Sequence, residues 1–503
     1  MQFGRNVLYT DVKKVDKDNI AEILRQVMPY HETNANDIKF LLDYEAGLQE
    51  KFRKKKYRPE IDCWCVDNIA NEVTEFKLSF NWGNPITLAM RDRNDGSNRE
   101  IADGIFELNK FYDLQGNRSK QQELARYVEI GGVGYTFVDI NTDYVEGESP
   151  FTVDVLDSRC AFIVRSSYYL DKRPMLGVSY YCDEHGQKQF TCFTKEARYD
   201  LNSSYEHLST SGESNPLGMI PIIEWVRSHD RMGCFERQIS EMDNLNLLIS
   251  DFTNDVEQNT QAIWHTNDVE FPKRIIKLED GTEAEEIAKP KGNDWLQTFT
   301  SPDGKTPSVK PLAIDYDYNG MLQNITTRRA LILQKCNVPS RNDNSGGSTG
   351  IAMSDATGWT QAETEANRQD QIKDVCKLNE VKLVLKAVEK CAGFPIDNPI
   401  RKLVYSDVEA NMPRQKTYEL TTKVNAICAM IAKGFSLEDT LSIAPLFEDN
   451  NQVIVRSGEG VKKYQESQVF KDEQAQTEEK RPFPDYSDQI VNSPNVDGMN
   501  KNN

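Results

Sequence analysis

A strip rich in glycine and serine lies between two stretches of helical periodicity, and this arrangement constrains the fold more than any other feature. The strip is residues 337–350, NVPSRNDNSGGSTG. Upstream of it, apolar residues recur at the spacing of one helix face: Met321, Leu322, Ile325, Leu331 and Ile332. Asn337 and Pro339 are typical of a helix end. The pattern predicts a loop between two helices, which is either a surface linker or a mobile element facing water.

The stretch after the strip predicts a long helix over residues 351–394, either continuous or bent and broken near Gly358. Its first half, residues 360–370 (TQAETEANRQD), has almost nothing to bury. A helix that is polar on every side needs neighbours to bridge or solvent to face. We therefore expect the strip and this half of the helix to lie beside water.

Composition places the chain among large soluble globular proteins. Its 503 residues allow about two to four domains. With 38% hydrophobic and 28% charged residues, and without a long apolar run or a secretory segment, no membrane association is expected. Ten scattered cysteines indicate reduced thiols rather than a disulfide framework.

The net charge of −19 restricts how the chain could meet nucleic acid. Proteins that hold DNA or RNA through the phosphates normally present a basic surface. The chain must therefore either avoid nucleic acid or handle it without binding it tightly.

Helical and strand patterns occur in separate blocks, which indicates an α+β fold. Two helices are expected near the N-terminus, one beginning at Asp18 and one around residues 40–48. A third is expected over residues 68–80, and residues 135–225 have the pattern of several short strands. Asp280-Gly281 predicts a hairpin in a small α/β insertion.

The C-terminal part predicts mostly helices. A strand is expected at residues 401–405, followed by a helix that ends at Gly434. Beyond Lys480 the chain has too few apolar residues to bury, so it is expected to be disordered.

The sequence shows no catalytic or metal-binding set. Its histidines lie far apart, and none forms a metal-ligand pair: His31, His185, His207, His229 and His265. Cys63-Trp-Cys65 has the wrong spacing for a zinc knuckle. Asp303-Gly-Lys-Thr306 resembles the end of a phosphate-binding loop, but Phe299 stands where the first glycine is needed. We expect no enzymatic activity, no cofactor and no metal.

A strong amphipathic helix is expected over residues 234–262, with an apolar stripe along one side. Its other side carries acidic residues at repeated turns: Glu236, Glu241, Asp243, Asp251, Asp255 and Glu257. This pattern is typical either of a solvated face or of a wall that repels phosphates.

Four segments resemble the portal proteins of tailed bacteriophages, particularly the long-tailed type. They are residues 68–86, residues 218–224, residues 345–352 and residues 434–445. Each motif is loose, and their order and spacing carry the likeness. The residues Asn342-Asp-Asn-Ser before the glycines depart from the family pattern, so the tip of the loop is not assigned.

The resemblance implies a division of the chain into the parts of the portal fold. These are a wing (residues 1–230), a first stem helix (231–266), a clip (267–316), a second stem helix (317–337), a tunnel loop (338–355), a long helix with a return to the wing (356–413), a helical crown (414–480) and a disordered tail (481–503).

The resemblance also implies a function and partners. Portal subunits form a homo-oligomeric ring, usually of about twelve, at one capsid vertex of the virion, after assembly in the host cytoplasm. Double-stranded DNA passes through the ring during packaging and ejection. The implied partners are the terminase that hydrolyses ATP, a head–tail adaptor, and the major capsid and scaffolding proteins.

The tunnel loop is the DNA-contacting site that the resemblance implies, and the acidic helix would be the channel wall. The loop residues expected to line the constriction are Arg341, Asn342, Asn344, Ser345, Gly346, Gly347, Ser348, Thr349 and Gly350. An acidic wall would keep phosphate binding weak while DNA slides. Two other interpretations stay open from the residues: an acidic cytoplasmic scaffold protein of unrelated fold, and a hydrolase with an unrecognised site.

Overall fold

A computed structural model gives the fold of most of the chain. It describes residues 4–51, 61–91, 99–168, 172–209, 211–260, 264–267, 273–277, 283–287, 307–311, 317–339, 358–414, 419–437, 440–441, 453, 457–464 and 466–467. The long helices are α1 (Lys17–Glu45), α2 (Ile69–Trp82), α3 (Arg99–Leu114), α4 (Asn117–Gly131), α5 (Ile239–Thr260), α6 (Tyr318–Lys335), α7 (Trp359–Lys390) and α8 (Glu419–Ala432). Helices and strands are mixed, which confirms the α+β class.

Within the described residues, the strands form five separate sheets. The strands are β1 (Leu8–Thr10), β2 (Thr87–Met90), β3 (Val133–Ile140), β4 (Phe151–Leu156), β5 (Ala161–Ser166), β6 (Pro174–Cys182), β7 (Lys188–Phe193), β8 (Ala197–Leu201), β9 (Glu213–Ser214), β10 (Ile222–Val226), β11 (Trp264–Asn267), β12 (Lys273–Lys277), β13 (Glu283–Ile287), β14 (Ser308–Pro311) and β15 (Val408–Asn411). The largest sheet has the order β1-β5-β6-β7-β8-β9 and the next has the order β10-β3-β4.

The N-terminal helix α1 is continuous over 29 residues, so the expectation of two separate helices is wrong. Two polar residues in its middle, His31 and Asn34, are buried and partnered. His31 lies within hydrogen-bond distance of the Tyr180 hydroxyl, at 3.2 Å. Asn34 accepts from the backbone N–H of Asn6 at 2.8 Å. The apolar face of α1 packs on the six-stranded sheet, with Ile20, Ile23 and Leu24 at 0–1% exposure.

The two main sheets confirm the β-rich region expected at residues 135–225. All neighbouring strands in them are antiparallel except β1, which lies parallel to β5. The strands β1, β8 and β9 were not expected individually. The helix α4 leads into β3 through Gly132, whose φ of +79° is the left-handed conformation that favours glycine at a helix end.

The helix α7 lies across the three-stranded sheet and carries one of the main cores. Its C-terminal half buries Val381, Leu383, Val384, Ala387 and Val388 against residues of α3, β3 and β4. The helix begins at Trp359, because its N-cap Gly358 has a φ of +88°. This left-handed backbone rules out one continuous helix from residue 351 and agrees with the alternative of a break near Gly358, while residues 351–357 lie outside the described residues.

The prediction of a strand at residues 401–405 is also wrong. Two short 3-10 helices, Pro399–Lys402 and Tyr405–Asp407, occupy this region. Asn398 initiates the first, since its side chain accepts from the N–H of Ile400 at 3.0 Å and a proline follows it. The strand comes afterwards, as β15, and pairs with β2.

The helices α5 and α6 pack against each other and are separated in sequence by short strand pairs. β11 pairs with β14, and β12 pairs with β13 in the antiparallel register expected for a hairpin around Asp280-Gly281. The turn itself lies outside the described residues, as does the tail expected to be disordered. No helix in the described ranges is long and apolar enough to span a membrane.

Candidate functional site

The predicted loop residues all lie in the segment 340–357, outside the described residues. They are Arg341, Asn342, Asn344, Ser345, Gly346, Gly347, Ser348, Thr349 and Gly350. The structure describes the chain up to Pro339 and again from Gly358. It therefore shows how both ends of this segment are held.

One member of the predicted acidic wall is buried inside the chain. Glu236 belongs to the 3-10 helix Glu236–Gln238, before α5 begins, and its side chain is 0% exposed. It pairs with Arg5 at 2.6 Å and accepts the N–H groups of Gly4 and Gly233. A carboxylate with these partners does not face solvent, so the assignment of Glu236 to an acidic wall is wrong.

Two other acidic residues of the set contact neighbouring helices. Glu241 lies 3.4 Å from Lys335 at the C-terminal end of α6, and both side chains are about half exposed. Asp243 accepts from the Tyr44 hydroxyl at 2.8 Å, and burial raises the pKa of its carboxyl. These two side chains help to hold α5 to α6 and α1.

Three acidic residues remain on the more open part of α5: Asp251, Asp255 and Glu257, all partly exposed. Asp251 and Asp255 are four residues apart, so they lie one turn above each other on one face. α5 as a whole carries five acidic and no basic side chains. Asp251 and Asp255 therefore make one side of this part of α5 acidic.

A second, buried side of α5 carries a ladder of polar side chains at four-residue spacing. Asn254, Ser250 and Asn246 accept from the backbone N–H groups of residues 63, 65 and 67 at 2.8, 2.9 and 2.9 Å. Four helical residues rise about 6.0 Å and two extended residues about 6.6 Å, so successive rungs match. The ladder fixes an extended segment along α5. Sequence reasoning missed it, although polar residues at i, i+4 and i+8 beside an apolar stripe were a signal.

The helix α6 is the most exposed long helix in contact with this region. Of its residues, Ile332 is the one that is buried, and Leu322 and Leu331 are 56% and 47% exposed. Arg329 ties it to the body by contacting Asp67 at 2.9 Å and Glu72. The face of α6 that includes Thr326, Thr327 and Ala330 is open.

A buried ionic cluster lies where α6 ends and α7 begins; we call Lys77, Glu129, Arg227, Asn337 and Glu365 the anchor cluster. Lys77 Nζ donates to Glu365 Oε2 at 2.6 Å, and Asn337 Nδ2 donates to the same oxygen at 3.0 Å. Arg227 donates to Glu365 Oε1 and, through Nε, to Glu129 Oε2 at 2.9 Å. The cluster thus joins α2, α4, the residue after β10, the end of α6 and the second turn of α7.

The anchor cluster is stable because its charges compensate each other. Burial alone would raise the pKa of Glu129 and of Glu365. The positive charge of Arg227 stabilises both carboxylates, Lys373 also stabilises Glu129, and Lys77 also stabilises Glu365. Together these cations hold the pKa values of both carboxyls below their ordinary range. Both carboxylates are therefore ionised at neutral pH. Sequence reasoning missed this cluster, because its members are far apart along the chain.

A cleft of about 490 Å³ opens next to the anchor cluster. Its lining includes Arg227, Asn337 and Glu365 together with two thiols, Cys234 and Cys336. Burial raises the pKa of Cys234 to about 12 and that of Cys336 to about 11, so both thiols stay protonated at neutral pH. The described residues contain no His, Cys, Asp or Glu group arranged to hold a metal ion.

The described parts of this region support a structural role. Its charged groups are paired, its two thiols are protonated at neutral pH, and its most open elements are the exposed face of α6 and the acidic part of α5. Such a region can present a surface to a large partner and hold both ends of the segment 340–357.

Comparison with known proteins identifies the family. No curated protein matches the chain. The family of phage portal proteins, SPP1 Gp6-like, matches residues 31–480. The match spans most of the chain, which therefore belongs to the phage portal protein family, the ring-forming structural components of phage capsids.

Proposed function

We propose that about twelve copies of this chain form a ring whose central channel passes double-stranded DNA during packaging and ejection. Membership of the portal family supports a ring in the capsid. The acidic side of α5 supports a channel: Asp251 and Asp255, one turn apart on its more open part, disfavour lasting phosphate contacts. This face is the observation that carries the proposal.

The proposed division of labour follows the order of the elements. α5 and α6 are the two stem helices, and the strand pairs between them form the clip. Residues 338–355 form the tunnel loop, and residues 414–480 form the crown. The wing comprises residues 1–230 together with the return formed by residues 356–413. Asp251, Asp255 and Glu257 are the wall residues retained from the acidic set.

The loop is the proposed site of transient DNA contact. Its residues Arg341, Asn342 and Asn344 supply polar contacts, while Gly346 and Gly347 allow the backbone to follow the moving DNA. Replacing both glycines with proline should reduce DNA packaging and leave ring formation intact. Ser345→Ala is the control, since it keeps the backbone freedom, and normal packaging by the double proline variant would refute the idea.

The partners of the ring complete the proposal. The chain shows no nucleotide-binding motif, so ATP hydrolysis is assigned to a terminase that docks on the clip and is later replaced by a head–tail adaptor. The major capsid protein and a scaffolding protein surround the ring. The ring is assembled in the host cytoplasm and occupies one vertex of the capsid in the virion. No enzymatic activity and no cofactor are assigned to the portal chain itself.

Negative-stain electron microscopy with native mass spectrometry tests the ring. We expect annular particles with a central opening and a mass of about twelve times 57.5 kDa. Added scaffolding protein should increase their yield if assembly needs it. Monomers or dimers at every concentration, with and without scaffolding protein, would refute the ring.

A further inference from the structure

Glu365 is the shared acceptor of the anchor cluster. Its Oε2 accepts from Lys77 at 2.6 Å and from the Asn337 side chain at 3.0 Å, and its Oε1 accepts from Arg227. Lys77 Nζ also lies 3.4 Å from the Asn337 carbonyl oxygen. Both oxygens of one carboxylate thus bind groups from three different parts of the chain.

Those groups include both sides of the segment that joins α6 to α7. Asn337 lies just after α6, and Glu365 lies in the second turn of α7. Asn337 has a φ of +54°, an uncommon conformation that its side-chain and carbonyl contacts stabilise. The end of one helix and the start of the next are therefore joined by a direct hydrogen bond.

Aromatic contacts fix the start of α7 to the same helix α2 that carries Lys77. The ring of Trp359 meets the rings of Phe76 and Phe80 edge-on, with centroids 5.9 and 5.7 Å apart. Phe76 and Phe80 themselves stack at 5.6 Å, one turn apart on α2. α2 thus holds the first turns of α7 by these rings and by Lys77, and it contacts α7 further along through Asn81, whose carbonyl oxygen accepts from Lys373 at 3.0 Å.

The ionic part of the cluster responds as a unit because its charges balance. It contains two carboxylates and two cations, with side-chain exposures of 0% for Glu129, 2% for Lys77, 12% for Arg227 and 14% for Glu365. Removing one charge leaves an uncompensated partner in a buried site, which is strongly unfavourable. Loss of Glu365 would therefore release every element that it holds.

We propose that the anchor cluster is a conformational joint that couples the C-terminal end of α6 to the first turns of α7. The joint holds both helix ends on α2 and α4, so a displacement of either end is transmitted to the other. The proposal concerns two described helices within one chain. It goes beyond the DNA channel and does not depend on it.

Hydrogen exchange of the full chain, followed by mass spectrometry, tests the joint. In Glu365→Gln we expect exchange to rise at residues 332–338 and at residues 359–366 together, by on the order of a hundredfold, with the six-stranded sheet unchanged. The matched control is Glu236→Gln, which removes a buried carboxylate paired with Arg5 elsewhere. It should raise exchange around residues 4–6 and 233–238 and leave both joint segments as in the wild type.

A milder variant decides the outcome if Glu365→Gln unfolds the whole chain. Asn337→Gly keeps the left-handed backbone and removes the side-chain donor to Glu365. We expect a few-fold rise in exchange at both joint segments. A rise confined to residues 332–338, or equal effects of the Glu365 and Glu236 variants on the joint segments, would overturn the proposal.

Discussion

The helices α6 and α7 meet at the anchor cluster but differ in how they are stabilised. Twelve of the 32 residues of α7 are buried, against Ile332 alone among the 18 residues of α6. α7 is thus part of the core of a single chain. α6 buries little within its own chain, so we expect its stability to depend on contacts with neighbouring subunits of the ring.

The largest effect is expected from breaking the ionic packing of α7. Glu380 accepts from Lys377 at 2.6 Å and from Tyr112 and Thr136, and it is 2% exposed. Glu380→Leu leaves the Lys377 ammonium without its counter-charge, so the free energy of unfolding should fall by about 3–5 kcal/mol. Urea denaturation followed by circular dichroism measures it, and a loss below about 1 kcal/mol would show that this pair is not important for the body.

A pair of leucine truncations compares the two helices directly. Leu383 in α7 is 0% exposed, and Leu331 in α6 is 47% exposed. Leu383→Ala should cost about 2–5 kcal/mol, whereas Leu331→Ala should cost less than about 1 kcal/mol in the monomer. If Leu331→Ala lowers ring stability more than monomer stability, the dependence of α6 on neighbours is supported. Equal costs in the monomer would contradict the comparison.

The pH dependence of stability probes the buried Lys373 of α7. Its Nζ donates to the Asn81 carbonyl oxygen at 3.0 Å and lies 4.1 Å from the Trp82 ring centroid. Burial lowers the pKa of Lys373 from 10.5 to about 8, although Glu129 and Asp370 oppose the shift. Between these two values the unfolded chain binds more protons, so the free energy of unfolding should rise with pH, by about 1–3 kcal/mol.

The control for this pH dependence is Lys373→Met, which removes the titrating group and keeps the length of the side chain. Denaturation of both proteins at intervals from pH 7 to pH 10 isolates the contribution of Lys373 from that of other groups. The wild type should gain stability relative to the variant over this range. Parallel curves would show that Lys373 keeps an ordinary pKa.

A smaller effect is expected at the polar ladder that joins α5 to the body. Ser250→Ala removes the acceptor of the Cys65 N–H and should cost about 1–2 kcal/mol. Ser240→Ala, at an exposed position in the first turn of α5, is the matched control and should change stability by less than about 0.5 kcal/mol. Identical denaturation midpoints for the two variants would show that the ladder contributes nothing.

The smallest effect on stability is expected at the open acidic face. Asp251→Asn should change the free energy of unfolding by less than about 0.5 kcal/mol, since the side chain is partly exposed. In assembled rings the same change should slow DNA translocation, because it weakens the repulsion of phosphates. Single-molecule packaging experiments measure the translocation rate. If the rate is unchanged in a variant that also replaces Asp255 and Glu257, the hypothesis of an acidic channel wall is refuted.

Local patterns predicted local structure well. The apolar spacing of α2 and the glycine at 434 after α8 were sufficient to place a helix and a helix end, because both depend on neighbours within a turn. The two predicted N-terminal helices are one, because His31 and Asn34 find partners across the fold that sequence does not show.

The contacts around the candidate site were harder to predict for the same reason. Lys77 and Glu365 are 288 positions apart, and nothing in the local pattern of either residue indicates the other. Glu236 has an acidic side chain near an acidic helix, and its pairing with Arg5 became evident only from the fold. The order of the segments along the sequence was sufficient to predict the family. The ion pairs could be identified only from the three-dimensional structure.

The ladder between α5 and the extended segment has a consequence for where that segment must leave the helix. The helix and the extended segment advance by different distances from one rung to the next. Each further rung therefore adds a mismatch of about 0.6 Å between them. Three rungs stay within hydrogen-bond tolerance, and α2 begins at Ile69, immediately beyond the Asp67 rung. A fourth rung would require Gln258 to reach residue 61, where the accumulated offset is close to 2 Å by the same spacings. The length of the contact is therefore set by geometry, and lengthening α5 would not extend it.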